Sequence, residues 1–438
     1  MIYKDRFKYV LVLLIISASM SSLAQNDAIE KKIVKSVDKH NATSLELLKK
    51  AVNINSGTMN FEGVRKVGEL FKSELDKLGF KTELTSGELY GRSGHLIATI
   101  TGKKGPKILL IGHLDTVFEL DSPFQEYKKI NDSIVIGPGV ADMKGGNVII
   151  VLAMKALEDA EILKDLNIEI IMTGDEEKSG NPIQLSKKDL IDAAVRADIA
   201  LGFENADGNP KTIVTSRRGS TDWELQVHGN PAHSSQVFTE KVGTGAIYEA
   251  SRILNEFYQQ LSNEENLTFN PGFIIGGTSL EPNSDLTGGT ALGKTNVVAQ
   301  SVIVRGDIRA ISLEQLEKAK NMMVSIASKN YNGTMAKIIF GIDGYPPLAA
   351  TNGNKKLLEY YSTVSNDLGF GPVSTVNPRN AGAADISFTS GYVDMAIDGL
   401  GLKGGAKDHT INETANIYNL PIQAKRAAVL IYRLSLMD

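Results

Sequence analysis

The stretch Lys107-Ile108-Leu109-Leu110-Ile111-Gly112-His113-Leu114-Asp115-Thr116 decides how this chain folds. Ile108 to Ile111 form an apolar run with no polar alternation. Such a run suits a strand buried on both faces, as in a parallel sheet covered by helices. His113 and Asp115 follow it directly. Open α/β sheets place their ligand site just past the carboxyl ends of strands, so an imidazole and a carboxylate stand where chemistry is expected.

The same arrangement recurs on either side. Asn167–Met172 reads as a strand and delivers Glu176 and Glu177; Ala200–Phe203 reads as another and delivers Glu204. Helical patterns at Gly145–Ala160 and Leu185–Ala197 lie between them, so βαβ units are expected. Before them come a β-rich run at His95–Thr101 and helical spacing in Ala28–His40, Ser44–Val52 and Phe61–Leu78. Asp142 sits in a glycine-rich turn, Gly137–Gly146, ahead of a helix. Three successive strand ends each carry a metal-compatible group, which chance placement does not readily give.

Near Arg217 the pattern changes. Thr221–Val227 and Thr295–Arg309 alternate, Met335–Ile342 is a further strand, and Val242–Leu261 and Leu313–Ser328 are helical. Helices on one face of an antiparallel sheet fit this pattern. After Pro346-Pro347 the first style returns, with helices at Asn354–Leu368 and Pro421–Leu436 and a strand at Val393–Ile397. The expected architecture is an α/β catalytic domain with a mostly parallel sheet, residues 25–213 and 348–438, interrupted by an α+β domain at 214–347.

Composition narrows the function. The 438 residues carry a net charge of −4 and no cysteine. Nucleic-acid binding, which shows as a basic excess, is not indicated, and disulfides and thiolate metal sites are excluded. Any metal must be held by carboxylates and by some of the six histidines. Lys4, Arg6 and Lys8 precede the apolar run Tyr9–Ile16, and Ser22-Leu23-Ala24 offers a cleavage site. Residues 1–24 therefore read as a secretory signal, placing the mature chain in the periplasm or outside the cell. The run is short for a membrane anchor.

Each polar residue alone has a plainer explanation. Asp142 would cap the helix that follows it. Glu176 and Glu177 would be a solvated pair, and Arg309 a surface strand arginine. Together the stretches Gly112–Val117, Gly137–Gly146, Thr173–Glu177, Phe203-Glu204, Ala232-His233-Ser234 and Asp408-His409-Thr410 resemble the M20 metallopeptidases. These are zinc-aminopeptidase-like enzymes that include glutamate carboxypeptidase, aminoacylase and succinyl-diaminopimelate desuccinylase. The resemblance runs through nearly all of the chain after the signal, in matching order.

That resemblance implies a ferredoxin-like inserted domain acting in dimerisation and as a lid. It implies two Zn2+ ions, with Co2+ or Mn2+ as substitutes, held by His113, Asp142, Glu177, Glu204 and His409, with Asp142 as the bridge. Glu176 would be the general base toward water, Asp115 would orient His113, and His233 would stabilise the oxyanion, reaching into a partner's site across a homodimer. Asn296 and Arg309 would hold the substrate, a small peptide or an N-acyl amino acid. The Asp142-Met143 bond would be cis, and Gly382, Gly401, Gly404 and Gly405 would let backbone approach the substrate. Two features depart from the pattern: the last glycine loop carries Lys403 and Lys407, and Tyr345 stands before Pro346 where glutamate-specific members carry Arg. The readings that follow are a carboxypeptidase, an N-acyl-amino-acid deacylase, or an inactive relic that keeps the fold.

Overall fold

A computed structural model describes residues 28–283, 287–405 and 407–437; the secretory signal expected at 1–24 lies outside them. The first helix, α1, runs unbroken over residues 28–52. Two shorter helices were expected there; the polar Asn41-Ala42-Thr43 stretch interrupts the apolar spacing but not the backbone. Helix α2 is Phe61–Asp76, started by the Asn60 side chain, which accepts from Gly63 N–H.

The central sheet has six strands: β1 (Lys81–Leu84), β2 (Leu96–Thr101), β3 (Lys104–His113), β4 (Leu166–Thr173), β5 (Ile199–Gly202) and, late in the chain, Met395–Ile397. The spatial order is β1-β2-β4-β3-β5-(395–397). β2 alone runs against the others, since β4, β3, β5 and the last strand pair in parallel and β1 is antiparallel to β2. One face is covered by α1, α2, α3 (Lys144–Asp159) and the final helix Asn419–Leu434, in one core with Leu110, Ile168, Ile170 and Leu201. The other face packs Leu109, Ile111 and Ile171 against Leu190, Ala193 and Phe388. Burial on both faces is what the unalternating run at 108–111 requires.

A second sheet, fully antiparallel, is built from β6 (Gly219–Gly229), β7 (Thr268–Gly277), β8 (Ser301–Ala310) and β9 (Thr334–Phe340), in the order β7-β8-β6-β9. Helices Ala246–Leu261 and Leu313–Ala327 cover one face around Trp223, Phe257, Val304 and Met323. The βαββαβ order with this strand arrangement is the ferredoxin-like motif. Its core is separate from that of the central sheet. The chain enters and leaves it side by side, with Arg217 bridged to Leu348 and Ser220 to Tyr345. Among the described residues no helix is long and apolar enough to cross a membrane.

Candidate active site

The four neighbouring parallel strands β4, β3, β5 and 395–397 end at one place. His113 is the last residue of β3. Glu176 and Glu177 come just after β4, Glu204 just after β5, and His409 from the loop beyond Met395–Ile397. Asp142 lies before α3, and no side chain of that turn caps the helix. The capping explanation for Asp142 therefore fails; its carboxylate points at two imidazoles instead.

His113 Nε2 lies 3.1 Å from Asp142 Oδ1 and 3.4 Å from Glu204 Oε1. His409 Nε2 lies 3.1 Å from Asp142 Oδ2 and 3.1 Å from Glu177 Oε2. Two ligand groups thus form, His113-Asp142-Glu204 and Asp142-Glu177-His409, and Asp142 belongs to both. The five side chains named from the sequence meet at one point.

The electrostatics of the cluster test whether cations suit it. Burial and then Asp142 push Glu177 up to about 7, and the same two causes push Glu204 up to about 7. His409 is held up to about 11, first by its bond to Asp142 and then by that to Glu177. Burial opposes the charged form of His113, yet Asp115, Asp142 and Glu204 together raise it well above its usual range. Crowded carboxylates here demand positive charge, and the imidazoles supply it only as protonated rings. Glu177 Oε1 is buried with no hydrogen-bond partner, a cost of about 1–3 kcal/mol unless something occupies it. Two dications meet both demands, and the oxygen and imidazole donors suit zinc, cobalt or manganese.

The surrounding residues fix the donors. His113 Nδ1 faces the Asp115 backbone carbonyl at 3.0 Å, with the Asp115 carboxylate at 3.4 Å. Asp115 therefore orients the ring mainly through its main chain. Its carboxylate accepts the N–H of Glu176 (3.1 Å), the N–H of Glu177 (3.2 Å) and the Thr58 hydroxyl (2.7 Å). Asn147 holds the His113 carbonyl at 2.6 Å. Burial first, then the neighbouring acids Glu204, Asp385 and Glu177, push Glu176 well above the usual carboxylate range, although His113 opposes this.

Other residues that shape the site were given no such role from the sequence. Glu413 is buried, and its carboxylate accepts the N–H groups of Gly139, Ala141 and Asp142 at 3.0, 2.8 and 3.0 Å, shaping the turn that presents Asp142. Asp398 accepts Glu204 N–H at 3.2 Å and pairs with buried Arg217 at 2.8 Å. Tyr345 donates to the Glu176 carbonyl at 2.9 Å. The Asp142-Met143 bond is cis, as expected. A Cβ at Gly401 would lie 2.1 Å from the Phe203 carbonyl oxygen, so the glycine lets two stretches of backbone pack together.

His233, Asn296 and Arg309 lie on the inserted domain. The His233 backbone bridges Val297, Ser234 N–H donates to the Asn296 carbonyl, and His233 Nδ1 accepts from Ser235 N–H. Arg309 pairs with Asp307 at 2.9 Å. Among the described hydrogen bonds and ion pairs, none links these three to the five-residue cluster.

An α/β sheet with acidic and imidazole side chains converging at its carboxyl edge, beside the half-buried Glu176, defines a metal-dependent hydrolase. Comparison with known proteins gives the family. The profile of peptidase family M20/M25/M40 matches residues 109–433, and the chain belongs to that family. It is 25% identical over 393 residues to carboxypeptidase G2 of a Pseudomonas species, covering 88% of each chain. It is 28% identical over 308 residues to a succinyl-diaminopimelate desuccinylase of Dechloromonas aromatica, covering 66% of this chain and 73% of the relative. A solved structure described as a dinuclear metal binding peptidase of the M20 family, from Bacillus subtilis, superposes with TM-score 0.61 at 15% identity, covering 91% and 99% of the two chains.

Proposed function

We propose that this hydrolase is a dinuclear zinc exopeptidase of carboxypeptidase type, cleaving an amide bond beside a free carboxylate. The observation that carries this reading is Asp142, whose two oxygens each face one imidazole of two adjoining ligand groups. His113 and Glu204 would hold one ion, Glu177 and His409 the other, with Asp142 shared. When bound, such a pair of cations polarises the scissile carbonyl and makes water more acidic.

The chain's own groups supply the proton chemistry. Glu176 belongs to neither ligand group and stands beside both. It takes a proton from the attacking water and delivers it to the amide nitrogen as the C–N bond breaks. Arg309 offers a fork-shaped donor for the substrate carboxylate. His233 and Asn296, close together on the inserted domain and unconnected to this chain's own cluster, would serve the oxyanion and the substrate in a homodimer. Export to the periplasm or beyond, under the direction of residues 1–24, belongs to the same proposal.

Removal of an acyl group from an N-acyl amino acid is the second reading, favoured by the likeness to the desuccinylase. An inactive relic is disfavoured because Glu176 and all five candidate ligands are in place. The deciding experiment is a panel of dipeptides, N-acetyl and N-succinyl amino acids, with and without a free α-carboxylate, offered to zinc-loaded protein. Preference for dipeptides with the free carboxylate supports the first reading. Turnover of none of them sinks both.

A further inference from the structure

We infer that Tyr345 is a positioning residue for Glu176, tying the catalytic carboxylate to the crossover by which the inserted domain rejoins the rest of the chain. The inference rests on the reading of Glu176 as general base.

Tyr345 lies beyond the end of β9, in the returning segment. Its N–H donates to the Ser220 carbonyl and its own carbonyl accepts from Ser220 N–H, both at 3.0 Å. Arg217 and Leu348 exchange a second pair of bonds at 2.9 and 3.0 Å. Entry and exit therefore form a narrow two-stranded ribbon, and the Tyr345 ring projects from it into the catalytic domain. Its hydroxyl lies 2.9 Å from the Glu176 carbonyl oxygen and 3.0 Å from Ser179 Oγ. A phenol has one proton to give, so it donates to the carbonyl and accepts from Ser179.

The ring is held in place. Phe388 meets it edge-on with centroids 5.0 Å apart, and Lys187 Nζ stands 5.7 Å over its face. Lys187 is itself fixed by Asp175 at 3.1 Å and Asp385 at 3.0 Å, all buried. Glu176 is thus gripped on both sides of its main chain: Asp115 takes its N–H, and Tyr345 donates to its carbonyl. The first grip comes from the central sheet. The second comes from the ribbon that carries the inserted domain, so the attitude of that domain reaches the base directly. Misplacing a catalytic group by a fraction of an ångström to an ångström costs about ten- to a hundredfold in rate.

The test is Tyr345→Phe, which keeps the ring and removes the donor, in full-length zinc-loaded protein. Two readouts are compared with wild type: steady-state kinetics on whichever panel substrate the wild type hydrolyses, and hydrogen–deuterium exchange of the peptide spanning residues 174–180. The expected result is a kcat lower by about tenfold, KM and zinc content unchanged, and faster exchange confined to that peptide. Unchanged exchange overturns the inference, because the loop would then be held without Tyr345. Faster exchange with unchanged kcat also overturns it, because the contact would then be structural only. If the wild type hydrolyses nothing, the hydrolase reading fails by itself, and the exchange still decides whether Tyr345 holds the Glu176 loop.

Discussion

Glu413 gives the most direct check on how the site is built. Its two oxygens accept three main-chain N–H groups of the turn that presents Asp142, one of them from Asp142 itself. Burial, followed by the nearby Asp142 charge, pushes this carboxyl up to about 8, and its three hydrogen bonds hold the turn. Glu413→Gln keeps a carbonyl oxygen able to serve Ala141 and Asp142, but turns an amide NH2 toward the Gly139 N–H. One orphaned buried donor costs about 1–3 kcal/mol. Glu413→Ala orphans three, and even with water entering the space the loss should reach about 3 kcal/mol or more. Both variants loosen a group that orients a ligand, for which metal affinity typically falls about 10–100-fold. Urea unfolding and zinc competition against a chelator would measure the two effects. An alanine variant within about 1 kcal/mol of wild type, with an unmoved chelator midpoint, would refute the account.

Four further outcomes are expected. Glu176→Gln should lower kcat by at least about 10²-fold with two metals still bound per chain; wild-type turnover would remove Glu176 from the mechanism. Asp142→Ala should lose both metals together, seen as metal per chain after dialysis; loss of one alone would exclude a shared ligand. Arg217→Met leaves Asp398 buried and unpaired, and should cost about 3–5 kcal/mol in urea unfolding; a loss below 1 kcal/mol would show the pair to be dispensable. Burial lowers Lys403 to about 7, whereas an unfolded lysine titrates near ~10.4. Between those values the unfolded state binds more protons, so stability contributed here rises with pH. Lys403→Met should flatten that rise in urea midpoints taken from pH 7 to 9; parallel profiles would contradict it.

Much of this fold was legible because its signals are local. The run Ile108–Ile111 announced a strand buried on both faces, and the carboxyl-end rule then pointed to His113, Glu176, Glu177 and Glu204. Less local features were hidden. The edge strand β7 contains Pro271 and Gly272 at a register shift, so its alternation is broken; proline is tolerated there because an edge need not donate on both sides. The short strand β1 was not read as a strand from the sequence. The helix expected from Val242 begins at Ala246, because Gly243 and Gly245 adopt positive φ. Strand β8 starts at Ser301 rather than Thr295, since the preceding residues turn to meet the His233 loop. Glu413 and Asp398 were missed for another reason. Each acts on main-chain atoms some two hundred residues or more away, and no spacing pattern encodes such a bond.

The paired crossing of Arg217–Ser220 with Tyr345–Leu348 also bears on modularity. With Ser220 and Tyr345 already hydrogen-bonded neighbours, everything between them is attached as a hairpin's tip is attached. A short turn joining the two positions would close the central fold without stretching it. The βαββαβ unit could then be deleted, or exchanged for one from a relative, leaving the cation-binding edge of the parent sheet intact.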